Sequence, residues 1–165
     1  MTHPDETLEI RPATLADEAN ILALAPRLIA FGPPPWRDPD GMRATDRKVL
    51  AAALRAQEGV HTVLVAVVGS GVIAGFIHLR EGRDYYIERS NGHVADIVVA
   101  EAHEGQGIAR ALLAAAERWA LANGYEWLTI SVFKGNERAA NLYEHLGFGT
   151  DIVQMVKPLK TPAQE

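Results

Sequence analysis

The chain has 165 residues, of which 48% are hydrophobic and 22% charged, with a net charge of −5 and no cysteine. Such a composition fits one globular domain spanning 1–165 and excludes a disordered chain. The absent cysteines exclude disulfides, thiolate metal sites and a thiol nucleophile, and the acidic balance argues against a nucleic-acid partner.

No apolar run reaches membrane-spanning length, so no membrane partner is expected, and MTHPDETLEI lacks the basic and apolar segments of a signal peptide. The expected location is cytoplasmic. Leu8-Glu9-Ile10-Arg11 alternates apolar and polar and predicts a first strand. Thr14, with Asp17 three residues on, predicts a capped helix with Ile21, Leu24, Ala25 and Leu28 on one face, which Pro26 should kink or shorten. GPPPWRDPDG, residues 32–41, is too proline-rich for helix or central strand and reads as a stiff loop. Arg43 to Ala56 predicts a second helix that buries Val49, Leu50, Ala53 and Leu54 and stops near Gly59.

From His61 the period becomes strand-like. HTVLVAVV and VIAGFIHLR flank Gly69-Ser70-Gly71 and predict an antiparallel hairpin. The polar stretch 81–92 reads as a loop, and a strand begins at His93. The segment Asp96 to Asn123 then reads as strand, glycine turn and long amphipathic helix, with Ile108, Leu112, Ala115, Trp119 and Ala122 on one stripe. A helix that opens from Gly105-Gln106-Gly107 exposes unpaired N–H groups and a positive dipole end, while the glycines let a ligand approach the backbone. The turn therefore reads as a pyrophosphate cradle or, equally, as a plain glycine turn. Glu126 to Phe133 predicts a strand, and Lys134-Gly135-Asn136 leads into a helix carrying Ala139, Tyr143 and Leu146 on one side. Asp151 to Val156 predicts a last strand.

Other motifs fail on context. Gly69-x-Gly71 lies between two strands and opens no helix, so it is a hairpin turn. His103-Glu104 begins like a zinc-protease signature, but Gly107 stands where the second histidine belongs, and no metal motif remains. A dinucleotide site at Gly105-x-Gly107, with Glu126 as its ribose acid, is opposed by Arg110 where that fingerprint needs glycine. His61, His78 and His145 belong to no motif and read as surface or hydrogen-bonded core residues.

HEGQGIARALL (His103 to Leu113) resembles the acyl-coenzyme A motif of the GNAT acetyltransferases, usually Arg/Gln-x-x-Gly-x-Gly/Ala. NERAANLYEHLGF (Asn136 to Phe148) resembles that family's C-terminal motif, and IRPATLADEANIL its first strand and helix. The resemblance implies an α+β (α/β) fold, with a mixed, mostly antiparallel central sheet splayed at the middle and flanked by about four helices. It implies acetyl-coenzyme A as cosubstrate, without a metal, and direct transfer of the acetyl group to a small-molecule or protein amine. Pantetheine would lie along the backbone of Ile97, Val98 and Val99, and the phosphates on Glu104, Gly105, Gln106, Gly107, Ile108, Ala109 and Arg110. Asn136 and Tyr143 would face the cofactor from the far side, Tyr143 as the acid that protonates the leaving thiolate.

Asp96 is the candidate base, with His93 and Glu88 behind it. Glu104 departs from the preferred Arg or Gln; a carboxylate beside a pyrophosphate is unfavourable unless the side chain turns to water while the backbone N–H binds. The resemblance favours a homodimer. A non-catalytic acyl-coenzyme A sensor or interaction module is the alternative of a different class.

Overall fold

The computed structural model describes residues 7–57 and 60–160, so Gly59, the expected stop of the second helix, lies outside the described residues. Five strands, β1 (Glu9–Pro12), β2 (Thr62–Val68), β3 (Val72–Arg83), β4 (Ser90–Val99) and β5 (Leu128–Ile130), form one sheet in sequence order. The first three junctions are antiparallel and β4–β5 is parallel, because α3 (Ile108–Ala122) carries the chain across between those two strands. This is the mixed, mostly antiparallel sheet that the resemblance implied. Helices α1 (Glu18–Leu24), α2 (Pro39–Arg55) and α4 (Glu137–His145) complete it.

The period of two in β2 divides the core. Val63, Val65 and Val67 pack with Ile21, Leu50 and Leu54 of α1 and α2, whereas Ala66 and Val68 pack with Ile108, Leu112 and Leu113 of α3 and Tyr143 of α4. Each face of the sheet is thus covered by two helices. At the N-terminus, Asp17 accepts bonds from both terminal nitrogens of Arg11 (2.8 and 3.0 Å) and from the Thr14 N–H (2.8 Å). The Arg11 guanidinium holds the Asp17 carboxyl down at about 2. Pro26 ends α1 as expected, the chain tightening into a 3-10 turn over Ala25–Ile29.

Several elements depart from the sequence reading. Helix α2 starts inside the proline-rich stretch, because the Asp38 side chain accepts from the N–H groups of Asp40 (3.1 Å) and Gly41 (3.0 Å) and Pro39 sits at the first helical position. Val49 does not join the α2 core but is exposed, and Ala122 lies outside the buried stripe of α3, which instead includes Leu113, Ala116 and Ala120. The hairpin β3–β4 is longer than expected, with its loop confined to 84–89. The predicted strand Asp151 to Val156 does not form: the segment is exposed and unpaired, since strand propensity without a partner strand does not make a sheet. Among the described residues, no helix is long and apolar enough to cross a membrane.

Candidate active site

Strands β4 and β5 pair only through Gly92, His93 and Val94, while β4 continues to Val99. Its edge from Ala95 to Val99 therefore lacks a strand partner on the β5 side, and the sheet splits there. The Ala100 N–H donates to the Ala74 carbonyl on β3 (2.7 Å). By alternation the backbone groups of Val98 also face β3, and those of Ile97 and Val99 face the split. Arg27 Nε already donates to the Val99 carbonyl (2.8 Å).

At the end of β4 the chain enters the glycine turn. Gly105 (φ 74°) and Gly107 (φ 79°) are both left-handed, and Gly107 caps α3. A Cβ at either position would meet nothing within 4 Å. Glycine is thus required by the backbone conformation, and the space over the turn is open. The N–H groups of the first turn of α3 carry the positive end of a 15-residue helix into that space. These residues fit a coenzyme A diphosphate, with exposed Arg110 on the same turn. Glu104 does not turn to water. Its Oε1 accepts from Arg27 Nη2 and its Oε2 from Arg138 Nη1 (2.7 Å), and the arginines, Arg138 first, hold its carboxyl below the usual range. The two guanidiniums offset the carboxylate charge that would otherwise oppose a phosphate on the turn.

On the α2 side of the split lies a cleft of ≈ 440 Å³ lined by His61, His78, Arg80, His93 and Asp96 from the sheet side and by Val49, Ala52 and Ala53 from α2. A β-bulge makes this grouping. Register slips between His78/Asp96 and Leu79/Val94, leaving Ala95 unpaired. Val94 consequently packs among the α3 and α4 residues, whereas Val98, two residues beyond Asp96, packs against the α1 and α2 side. His93 and Asp96, three residues apart, both line the cleft.

Asp96 Oδ2 lies 2.8 Å from Nδ1 of His78, whose ring is 1% exposed. An ionised carboxylate can only accept, so that nitrogen carries the proton. Nε2 of His78 and Nδ1 of His61, on rings 4.9 Å apart, are buried without a partner among the described residues. His93 Nδ1 lies 2.8 Å from Thr129 Oγ1, and burial lowers its pKa. Asp46, from α2, is pushed up by desolvation and then by Asp96. Glu88 sits in the exposed 84–89 loop, and Asp96 is six residues beyond Ser90, about 20 Å along the strand.

Tyr143 lies on the other face of the sheet, 9% exposed, its ring 6.0 Å from Phe148. Burial raises its pKa, so the phenol is protonated at neutral pH, and its hydroxyl has no hydrogen-bond partner among the described residues. Asn136 caps α4, accepting at Oδ1 from the Ala139 N–H (3.3 Å), which leaves its amide N–H₂ free to donate elsewhere. Glu126 pairs with Arg89 (2.9 Å), outside the glycine turn. Sequence reasoning missed His78, Asp46, Arg27 and Arg138. Only His78 left a trace: it and Arg80 share the parity of Phe76 in β3, a polar end to an apolar face.

A split sheet with a glycine turn opening a helix at the end of the strand beside the gap is the arrangement that the sequence resemblance implied. Residues 26–148 match the model of the acetyltransferase (GNAT) family, and the chain belongs to that family. An uncharacterized N-acetyltransferase, YobR, of Bacillus subtilis (strain 168) is 39% identical over 57 residues, covering 34% of this chain but only 23% of that relative. Two solved structures share the fold. One is a Pyrococcus furiosus protein provisionally named an acetyl transferase (TM-score 0.76, 21% identity, 93% of this chain and 100% of that one). The other is the aminoglycoside N-acetyltransferase AAC(6')-Iy in complex with CoA (TM-score 0.70, 20% identity, 97% and 100%).

Proposed function

We propose that this chain is a cytoplasmic N-acetyltransferase, a single domain over 1–165, that moves an acetyl group from acetyl-coenzyme A directly to a primary amine. The carrying observation is the unpaired β4 edge running into a left-handed glycine turn at the head of α3. Bound acetyl-coenzyme A supplies an activated acyl carbon and a thiolate leaving group. Ile97 and Val99 offer backbone groups to its arm, the turn from Glu104 to Arg110 takes its phosphates, and Asn136 donates from the opposite wall. The amine enters by the cleft on the α2 side, where Asp96 takes its proton directly or through a water. Tyr143 gives a proton to the departing thiolate from the other face of the sheet.

His78 fixes the Asp96 carboxylate, and the carboxylates of Asp46 and Asp96 favour a positively charged acceptor at the cleft. Small-molecule and protein amines both satisfy that chemistry. A homodimer is the proposed assembly, supported by the exposed apolar side chains of Ile152, Val153, Met155 and Leu159, which a partner would cover. The deciding experiment incubates the protein with acetyl-coenzyme A and a panel of amines, including polyamines, amino acids, aminoglycosides and peptides, and follows free-thiol release. Amine-dependent thiol release is expected. Cofactor binding without turnover on any amine would make the chain an acyl-coenzyme A sensor instead.

A further inference from the structure

Glu104 stands immediately before the glycine turn and reaches both walls of the split. Its Oε1 is held by Arg27, which is itself anchored by the Val99 carbonyl (2.8 Å) and lies 3.6 Å from Glu101. Its Oε2 is held by Arg138, which belongs to α4 on the β5 side. The Glu104–Arg138 pair therefore crosses the split beside the cradle. The two arginines differ in anchoring: the Arg27 side chain is 28% exposed and fastened at several points, whereas that of Arg138 is 74% exposed and has only this one partner among the described residues.

Arg138 is also misplaced for a helix. It is the second residue of α4, where the dipole is positive and a cation is disfavoured. An anion in front of the arginine offsets that disfavour, and Glu104 is the anion present. An ion pair with one exposed partner is screened by water and weakly held, so exchanging Glu104 for a stronger anion meets little resistance. A phosphate on the neighbouring N–H groups would be such an anion, with more charge and more acceptor oxygens. Arg27 would remain on Glu104 and keep that carboxylate from opposing the phosphate.

We propose that Arg138 is a phosphate clamp for coenzyme A, and that Glu104 is the placeholder holding it across the split until a phosphate takes it over. The proposal rests on the coenzyme A reading of the cradle. It explains how a carboxylate is tolerated at the head of the turn: the two arginines that Glu104 recruits offset its charge and that of Glu101.

The test is calorimetric titration of coenzyme A and of 3′-dephospho-coenzyme A into four proteins: wild type, Arg138→Gln, Glu104→Gln and the double variant, each with its melting temperature. Arg138→Gln should weaken coenzyme A binding about tenfold, the range of a hydrogen bond to a charged group. Glu104→Gln should bind at least as tightly as wild type, and Arg138→Gln should cost as much or more in the Glu104→Gln background. An effect of Arg138→Gln that persists with the dephospho form assigns the clamp to the diphosphate; one that disappears assigns it to the 3′-phosphate. If the cost of Arg138→Gln vanishes once Glu104 is gone, the pair is a brace between the walls and the clamp is overturned. Wild type that fails to bind coenzyme A would instead remove the cofactor reading itself.

Discussion

Nδ1 of His78 stands 2.8 Å from Oδ2 of Asp96, the two residues directly opposed across the β3–β4 ladder. The contact fixes one carboxylate oxygen and leaves Oδ1 without a hydrogen-bond partner among the described residues, at the wall of the cleft. A group held in one rotamer with one free oxygen is preorganised to accept a proton from that side.

Asp96→Asn should therefore lower turnover by about a hundredfold or more, while acetyl-coenzyme A affinity stays near wild type. The amide can still accept from His78, so packing is kept. Steady-state rates across pH are the measurement. An unaltered pH–rate profile would transfer the role to His93, whose half-buried ring has its pKa lowered by desolvation, which favours the neutral form a base needs.

Tyr143→Phe keeps the ring against Phe148 and removes the one proton the side chain can donate. Turnover should fall by about ten- to a thousandfold with coenzyme A affinity and melting temperature little changed, because the lost interaction exists chiefly in the transition state. A variant that melts much lower while its folded fraction turns over normally would make Tyr143 a packing residue.

At Gly107 the left-handed backbone separates two substitutions. Val is strained there by its branched Cβ, so Gly107→Val should lose both stability and cofactor binding. Asn tolerates the conformation, so Gly107→Asn should stay folded yet place a side chain in the open space over the turn and weaken coenzyme A binding by about tenfold or more. Titration calorimetry on the folded Asn variant checks this, and unchanged affinity would remove the cradle.

Asp17 carries a pH-dependent part of the stability. Its carboxyl titrates at about 2 in the fold, against an ordinary value of 3.8, so the folded state favours the ionised form. The corresponding stabilisation, about 2 kcal/mol, is present above pH 4 and lost as pH falls toward 2. Asp17→Asn should lower stability by about that amount at neutral pH and flatten its dependence below pH 4. Urea melts from pH 7 to pH 2.5 are the measurement. Parallel curves for the two proteins would contradict the Arg11–Asp17 account.

Sedimentation of the wild-type chain should give a dimer, and Val153→Asp with Met155→Asp should shift it toward monomer by placing charges on the exposed apolar segment. A monomer at all concentrations for the wild type would end the dimer proposal.

Much of the architecture was legible because it rests on local rules. The apolar runs HTVLVAVV and VIAGFIHLR, the turn between them, and the run into Gly105-x-Gly107 specify strands, hairpin and helix start through neighbours close in the chain. Where a local signal was present but overlooked, as with Asp38-Pro39 at the head of α2, the error lay in reading proline as loop when a capping residue preceded it. Asp151 to Val156 failed for the opposite reason: its local pattern is that of a strand, but strands exist only in pairs.

The candidate site divides the same way. The sequence alone determined the glycine turn, because left-handed positions and an open helix end are encoded in consecutive residues. Only the tertiary structure decided which side chains share the cleft. Strict alternation would send His93 and Asp96, three residues apart, to opposite faces; the bulge at Ala95 puts both on one, beside a histidine from β3. Likewise Glu104 looked like an unfavourable carboxylate until Arg27, 77 residues earlier, and Arg138, 34 later, closed on it. Charge compensation acts through space, and no spacing along the chain announces it.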